Sequence, residues 1–584
     1  MSEFAKSQYF PFSLNSRENH SEQQHYEGAL PDEEQHAQPD PLIVTTTAGQ
    51  VCGLFEQLPS GQRVRSWRGI PYGADTAGER RFRAPSPVAA WSGVRQCTEF
   101  GPVAPQPTYS WTDRVIGSED CLHLDIVRPD TEEVLPVVVY LHGGSFIVGA
   151  SHMLMLRGFH LSQAMDVVYV SINFRLGALG YLDMRHLRGD ACANPAVADQ
   201  LLALQWVQDN IARFGGDPAS VTLMGESAGG AAVLTLMTSP YSEGLFHRAI
   251  AQSPPIGMVH SRTQSTLWAR ELVRRLALPR LSTVDDVRAQ DYADVVRAGQ
   301  SMMWNAGELL HLNSCFAPTV DHDLVPLHPL VAFKEGKQLK IPLVIGTNAD
   351  EASFGKFLFQ REFARHRAGL RLLSSFDEEG AKDVVAAYGG ATTRSDFAEL
   401  LADALFWAPS IRVADAHAAD APTWMYRYDY APLTLRFLGL GAIHSLELGN
   451  IFGDPSASRA SFLTRMDRDA EAERLTEVMQ EHWRRFIHDG TPGQEWPPYV
   501  VSLPGDPADR VDADELDLRS TLIFDVPSQV LADPKPGKRV AWENYQMVDW
   551  GAGRPELAAE LGFILEGLEG KPGSRHSAGG GGNG

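Results

Sequence analysis

A serine hydroxyl attacks acyl carbon only when a neighbouring base takes its proton, so a serine that the chain holds out at a turn is a candidate nucleophile. Ser227 has that setting. Val221-Thr222-Leu223-Met224 reads as a buried strand, Gly225-Glu226-Ser227-Ala228-Gly229 follows as Gly-x-Ser-x-Gly, and Gly230, Ala231 and Ala232 begin a small-residue helix. This order places a serine on a sharp strand-to-helix turn with its hydroxyl above a sheet edge. In an ordinary strand-to-helix loop the same serine would be solvated and inert, so the chemistry depends on its partners.

The base should be a histidine, oriented by a buried carboxylate that also stabilises the imidazolium. Of the nineteen histidines, His444 is the best placed, in the loop-like stretch Gly441-Ala442-Ile443-His444-Ser445-Leu446-Glu447-Leu448. The best acid is Glu351, in Gly346-Thr347-Asn348-Ala349-Asp350-Glu351-Ala352-Ser353-Phe354, just past an expected strand at 341–345. Asp350 is its immediate rival, and Glu226 a more distant one. The chain order serine, acid, histidine is the one α/β-hydrolases use. The oxyanion formed on attack needs donors aimed at its developing charge. His142-Gly143-Gly144-Ser145 directly follows the apolar strand 137–141, so the N–H groups of Gly143 and Gly144 are expected to donate together with that of Ala228. A turn without a donor role is the alternative, and His142 reads as structural. His-Glu-x-x-His is absent, so a zinc hydrolase has no support; no metal or organic cofactor is expected.

Buried strands must carry these groups. Segments 134–141, 166–172 and 341–345 are almost continuously apolar, as in parallel strands covered on both faces. Leu122-His123-Leu124-Asp125-Ile126 alternates as a half-buried strand does, and Tyr426, Tyr428 and Tyr430 alternate with Arg427 and Asp429 in another. A helix is expected from Asp199, with Leu201, Leu204, Val207 and Ile211 on one face and Gly215-Gly216 as its stop. Ser66-Trp67-Arg68-Gly69-Ile70-Pro71-Tyr72-Gly73 and Arg81-Phe82-Arg83-Ala84-Pro85 read as turns closing an N-terminal sheet edge. The pattern predicts an α/β fold: a large, mostly parallel central sheet flanked by helices. Helical insertions at 260–340 and 355–420 would lie over the carboxyl edge, where such folds bind ligands. Phe354, Phe357, Phe406, Trp407, Met302 and Met303 are candidates for an apolar pocket wall, with core packing as the alternative for each. An amphipathic helix at 470–488 and a short closing one at 555–568 complete the pattern.

Residues 1–41 are polar and expected to be a disordered tail, 42–569 a single domain, and 570–584 a flexible Gly/Ser-rich tail. Net charge is −22, which argues against nucleic acid or an anionic membrane as partner. The expected partners are a small ester and water, with the oligomeric state open. No apolar run reaches the roughly 18 residues of a membrane span, and no signal-peptide core is visible. The expected compartment is the cytoplasm, with secretion left open.

Several separate motifs resemble the type-B carboxylesterase/lipase family, whose members include bacterial and mammalian liver carboxylesterases and cholinesterases. They are Glu119-Asp120-Cys121-Leu122, His142-Gly143-Gly144, Asn173-Phe174-Arg175-Leu176-Gly177, Gly225-Glu226-Ser227-Ala228-Gly229-Gly230 and Phe316-Ala317-Pro318-Thr319-Val320-Asp321. They occur in the family's order, across roughly residues 42–550. The resemblance implies an α/β-hydrolase fold and a serine carboxylesterase with an acyl-enzyme intermediate, its triad carried over as Ser227, Glu351 and His444. Asp350-Glu351-Ala352 stands where the family has Asp-Glu-Gly, which favours Glu351 over Asp350. Glu447 matches the carboxylate of the family's His-x-x-Glu, and Glu226 becomes a buried neighbour that tunes the site. The resemblance also implies a Cys97–Cys121 disulfide, which a reducing cytoplasm would leave as thiols. Trp111 stands near the position of the cholinesterases' cation-binding tryptophan, though a packed or surface aromatic is the simpler reading. A catalytically silent binding protein on the same scaffold is the rival function, and intact Ser227, Glu351 and His444 count against it. Amide, carbamate or thioester bonds stay open as substrates, because pocket shape and not the triad selects them.

Overall fold

A computed structural model of the protein describes residues 40–108, 114–303, 315–374, 377–454, 470–501 and 518–547. Residues 1–39 of the first tail, the second tail, the 555–568 helix and Trp111 lie outside the described residues.

Eleven strands form the central sheet. In chain order they are β1 (Leu54–Gln57), β2 (Arg63–Pro71), β3 (His123–Pro129), β4 (Leu135–Leu141), β5 (Val168–Ile172), β6 (Gly216–Glu226), β7 (Arg248–Gln252), β8 (Leu343–Asn348), β9 (Thr423–Tyr428), β10 (Ser520–Phe524) and β11 (Gln529–Ala532). Their spatial order is β11-β10-β9-β8-β7-β6-β4-β5-β3-β2-β1. Pairing is parallel from β10 through to β5 and antiparallel at both edges.

The continuous apolar runs follow from this arrangement. Successive side chains point to opposite faces, and both faces are covered. Val137, Val139 and Leu141 of β4 join Val221, Leu223, Ala249, Leu343 and Ile345 in one buried cluster. Val138 and Tyr140, one residue out of phase, join Met224, Ile250, Val344, Trp424 and Tyr426 in another. The helix Pro195–Asn210 covers the first face, and the amphipathic helix Ala470–Asp489, through Leu475, Met479, Trp483 and Phe486, covers the second.

Two expectations are corrected. The helix begins at Pro195, because proline suits a helix's first position. The segment from Ser66 to Pro71 is not a turn but the second half of β2, which pairs with β3 across a register shift between Trp67 and Ile70. Gly69, at φ 63°, sits in that bulge, so a residue that looked like a turn marker bends a strand instead. The insertions at 260–340 and 355–420 are largely helical, including Arg262–Arg275, Tyr292–Met303, Glu362–Ser374, Arg394–Ala402 and Ala408–His417. No helix among the described residues is long and apolar enough to cross a membrane.

Candidate active site

Strand β6 ends at Glu226, and the helix Ala228–Met237 begins two residues later. Ser227 occupies the turn between them at φ 57° and ψ −124°, a conformation that a non-glycine residue keeps only where its surroundings enforce it. Its N–H donates to Gln252 O of β7 at 2.9 Å, and its carbonyl accepts from Ala231 N at 2.9 Å. The small-residue run has a steric cause. A Cβ on Gly229 would lie 2.0 Å from Leu141 O, so only glycine lets this helix start against the end of β4.

The two stretches expected to supply acid and base converge on this turn. Glu351, just beyond β8, accepts from or shares a proton with His444 Nδ1 through Oε2 at 2.5 Å. Its other oxygen accepts from Asn348 N at 2.7 Å and Ser253 Oγ at 2.5 Å. Every oxygen of this buried carboxylate is thereby fixed. Asp350 faces away from the imidazole and accepts instead from Ala442 N at 3.1 Å.

His444 Nε2 lies 3.2 Å from Glu226 Oε1, the residue immediately before Ser227. Among the described residues no hydrogen bond joins Nε2 to Ser227 Oγ; the imidazole is held beside Ser227 by Glu226. Ser445, at φ 66°, donates its hydroxyl to the same Glu226 oxygen. Glu447 lies below, fully buried, and accepts from Asn348 Nδ2 at 2.6 Å and Gln252 Nε2 at 3.4 Å.

Three carboxylates therefore surround one imidazole. Burial opposes the imidazolium, but the charges of Glu351 and Glu226 outweigh it and push His444 up to about 10. Burial, aided by Glu226 and Glu351, raises Glu447 to about 8. Burial likewise raises Glu226, against the opposing charge of His444. These groups titrate as a set, with protons shared among them.

After β4 the chain turns through Gly143 and Gly144, the latter at φ 118°. Among the described residues no protein acceptor takes the N–H of Gly143, Gly144 or Ala228. An ideal Cβ on Gly143 would sit 3.2 Å from Ser227 Cβ, which places this turn directly against the serine. His142 is stacked on Phe174 at 4.5 Å, with Nδ1 2.9 Å from Gly143 O, and burial depresses it to about 4. The stacked ring, hydrogen-bonded to the chain it adjoins, supports the turn.

The expected apolar wall is mostly elsewhere. Phe406 packs against His444, the ring centroids 4.7 Å apart and the planes tilted by 32°. Phe354 and Phe357 are 46% and 60% exposed on a short 3₁₀ turn, so they are corrected from pocket wall to surface. Trp407 lies under the Lys535 ammonium at 5.1 Å, and Met302 is core. The Met303 side chain lies outside the described residues.

The Cys97–Cys121 disulfide is also corrected: both are free, buried thiols. Cys97 N donates to Cys52 O at 2.8 Å, and Cys52 and Arg95 are among its electrostatic neighbours, whereas those of Cys121 include Asp199 and Arg175. Burial pushes the Cys97 thiol up to about 12 and Cys121 higher still.

Ser253, Asn348 and Ser445 were not found from the sequence. Ser253 follows β7 directly and Asn348 ends β8, so both stand at carboxyl strand ends, the one available signal. Ser445 carries none beyond its adjacency to His444.

A mostly parallel sheet with helices on both faces, and a serine on the turn after a central strand, defines an α/β-hydrolase. The carboxylesterase family model matches residues 40–506, and the chain belongs to that family. It is 32% identical over 511 residues to the para-nitrobenzyl esterase of Bacillus subtilis strain 168, covering 85% of this chain and 97% of that one. It is also 32% identical to phenmedipham hydrolase of Pseudarthrobacter oxydans, over 81% of this chain and 95% of that one. Liver carboxylesterase 1 of Oryctolagus cuniculus is 32% identical, over 79% of this chain and 88% of that one. A solved PNB esterase superposes with a TM-score of 0.74 at 30% identity, over 86% of this chain and 99% of that one. The protein is a carboxylic ester hydrolase of this family.

Proposed function

We propose that the protein cleaves carboxylic esters through an acyl-enzyme, with Ser227 as nucleophile, His444 as base and Glu351 as the orienting acid. The 2.5 Å pairing of Glu351 Oε2 with His444 Nδ1 carries the reading, because it leaves Nε2 as the nitrogen facing the Glu226-Ser227 turn. A shift of the imidazole from Glu226 to the adjacent serine brings Nε2 to Oγ. Ser227 Oγ attacks the carbonyl carbon as its proton passes to Nε2, and the N–H groups of Gly143, Gly144 and Ala228 receive the oxyanion. The alcohol leaves with the proton from His444. Water then attacks the acyl-serine, its proton passing to His444 and on to Ser227 as the acid departs.

An organophosphonate that phosphonylates active serines tests this. One equivalent should attach to Ser227, located by peptide mapping, and abolish hydrolysis of a nitrophenyl ester. Ser227→Ala should take up no label and lose about 10⁶ in turnover, the scale of nucleophile removal in serine hydrolases. Label on another serine, or full activity in Ser227→Ala, overturns the assignment.

A further inference from the structure

We propose that Asp350 is a positioning residue, latching the loop that carries Glu351 to the loop that carries His444; this rests on the triad reading above.

The latch is reciprocal. Asp350 N donates to Ala442 O at 3.0 Å, and Ala442 N donates to Asp350 Oδ2 at 3.1 Å. One residue beyond Asp350 is Glu351, and two beyond Ala442 is His444, so the latch closes a short ring whose other link is the Glu351–His444 pair. Gly441 makes the approach feasible: its φ is +69°, and a Cβ there would lie 2.0 Å from Asp350 Oδ2. Further along both loops, Ser353 Oγ donates to Leu440 O and Lys356 Nζ donates to Gly439 O at 2.6 Å.

Exposure separates positioning from core stability. The Asp350 side chain is 39% exposed, whereas that of Glu351 is 1% exposed. Asp350 also borders a polar cavity of about 300 Å³ with Ser353 and Lys356, and its ion pair with Lys356 spans 3.9 Å. A half-exposed carboxylate with so loose a partner contributes little to folding. Its hydrogen bond nevertheless helps fix where the two loops stand relative to each other, beside the bond that Asn348 Nδ2 donates to Ile443 O at 2.8 Å. A displacement of about 1 Å in such geometry costs on the order of 100-fold in rate.

Asp350→Ala should therefore lower kcat about 10- to 100-fold, with KM within about twofold, when rates are expressed per organophosphonate-titrated site. Its melting temperature should fall by no more than about 4 °C. Asp350→Asn should restore most of the loss, since its amide oxygen accepts the same Ala442 N–H. A kcat for Asp350→Ala within twofold of the parent overturns the latch, as does an equal loss in Asp350→Asn, which would assign the effect to charge. Failure of the parent enzyme to take label at Ser227 removes the triad reading, and the latch with it.

Discussion

Glu226 is the residue whose two contacts have the most direct kinetic consequence. It touches His444 Nε2 at 3.2 Å and contributes, after Glu351, to holding the imidazolium above the ordinary histidine range. In the proposed mechanism only neutral imidazole can take the Ser227 proton, so the acid limb of kcat/KM should lie above pH 6.5. Glu226→Gln removes one negative charge, lowers the His444 pKa and should move that limb to lower pH. Glu351→Gln should move it the same way, but with a loss in kcat of about 10⁴-fold, because the imidazole also loses its orienting acceptor. A limb that stays in place in Glu226→Gln would show that this carboxylate is neutral throughout. At this scale the sequence disclosed the groups proposed to react but not those that hold them. Glu351 could be preferred to Asp350 only by motif, since adjacent carboxylates differ in direction and direction is a property of the folded loop. Ser253, Ser445 and the Asn348 side chain reach Glu351, Glu226 and Glu447 from 98, 219 and 99 residues away, which no local spacing encodes.

Strands and helices were more legible, because burial on both faces writes an unbroken apolar run and burial on one writes alternation. β4, β5 and the helix Ala470–Asp489 lie within two residues of their expected limits. Punctuation residues misled: Gly69 bends β2 without ending it. Gly229 shows what such a residue does at the site. Its hydrogens face Leu141 O, where a methyl group would sit at 2.0 Å. Gly229→Ala must push the helix start away from β4, a displacement that costs roughly 1–3 kcal/mol. It would also move the Ala228 N–H away from the turn at Gly143. Denaturant unfolding should record the stability loss, and the fall in kcat should exceed what the folded fraction accounts for. Unchanged stability would mean that the helix start yields more freely than its contacts indicate.

Across the whole molecule, the motifs that carry no chemistry prove to be clamps between distant segments. Arg81 grips Glu119 with both carboxylate oxygens at 2.6 Å, and Asn194 ties the start of its helix to Thr319 and Asp321 at 2.7–2.8 Å. The deepest clamp joins Arg175, in the loop after β5, to Asp199 of the helix Pro195–Asn210. Nε donates to Oδ2 at 2.8 Å and Nη2 to Oδ1 at 2.6 Å, with side chains 3% and 0% exposed. Two charges this deep have given up their hydration, and their attraction does little more than offset that cost. Removing one partner strands the other, so Asp199→Ala should destabilise by about 3–5 kcal/mol. Replacing both by apolar residues of similar volume, Arg175→Met with Asp199→Leu, should be far milder than either single change. The Arg175 guanidinium also donates to Arg83 O and Pro195 O, so the double variant should retain some deficit from those unpaired carbonyls. Thermal unfolding of the four proteins in a double-mutant cycle measures the coupling, and organophosphonate uptake at Ser227 reports whether each folded variant keeps its site. A double variant as unstable as the sum of the singles would mean that the clamp acts through its carbonyl contacts and not through the ion pair.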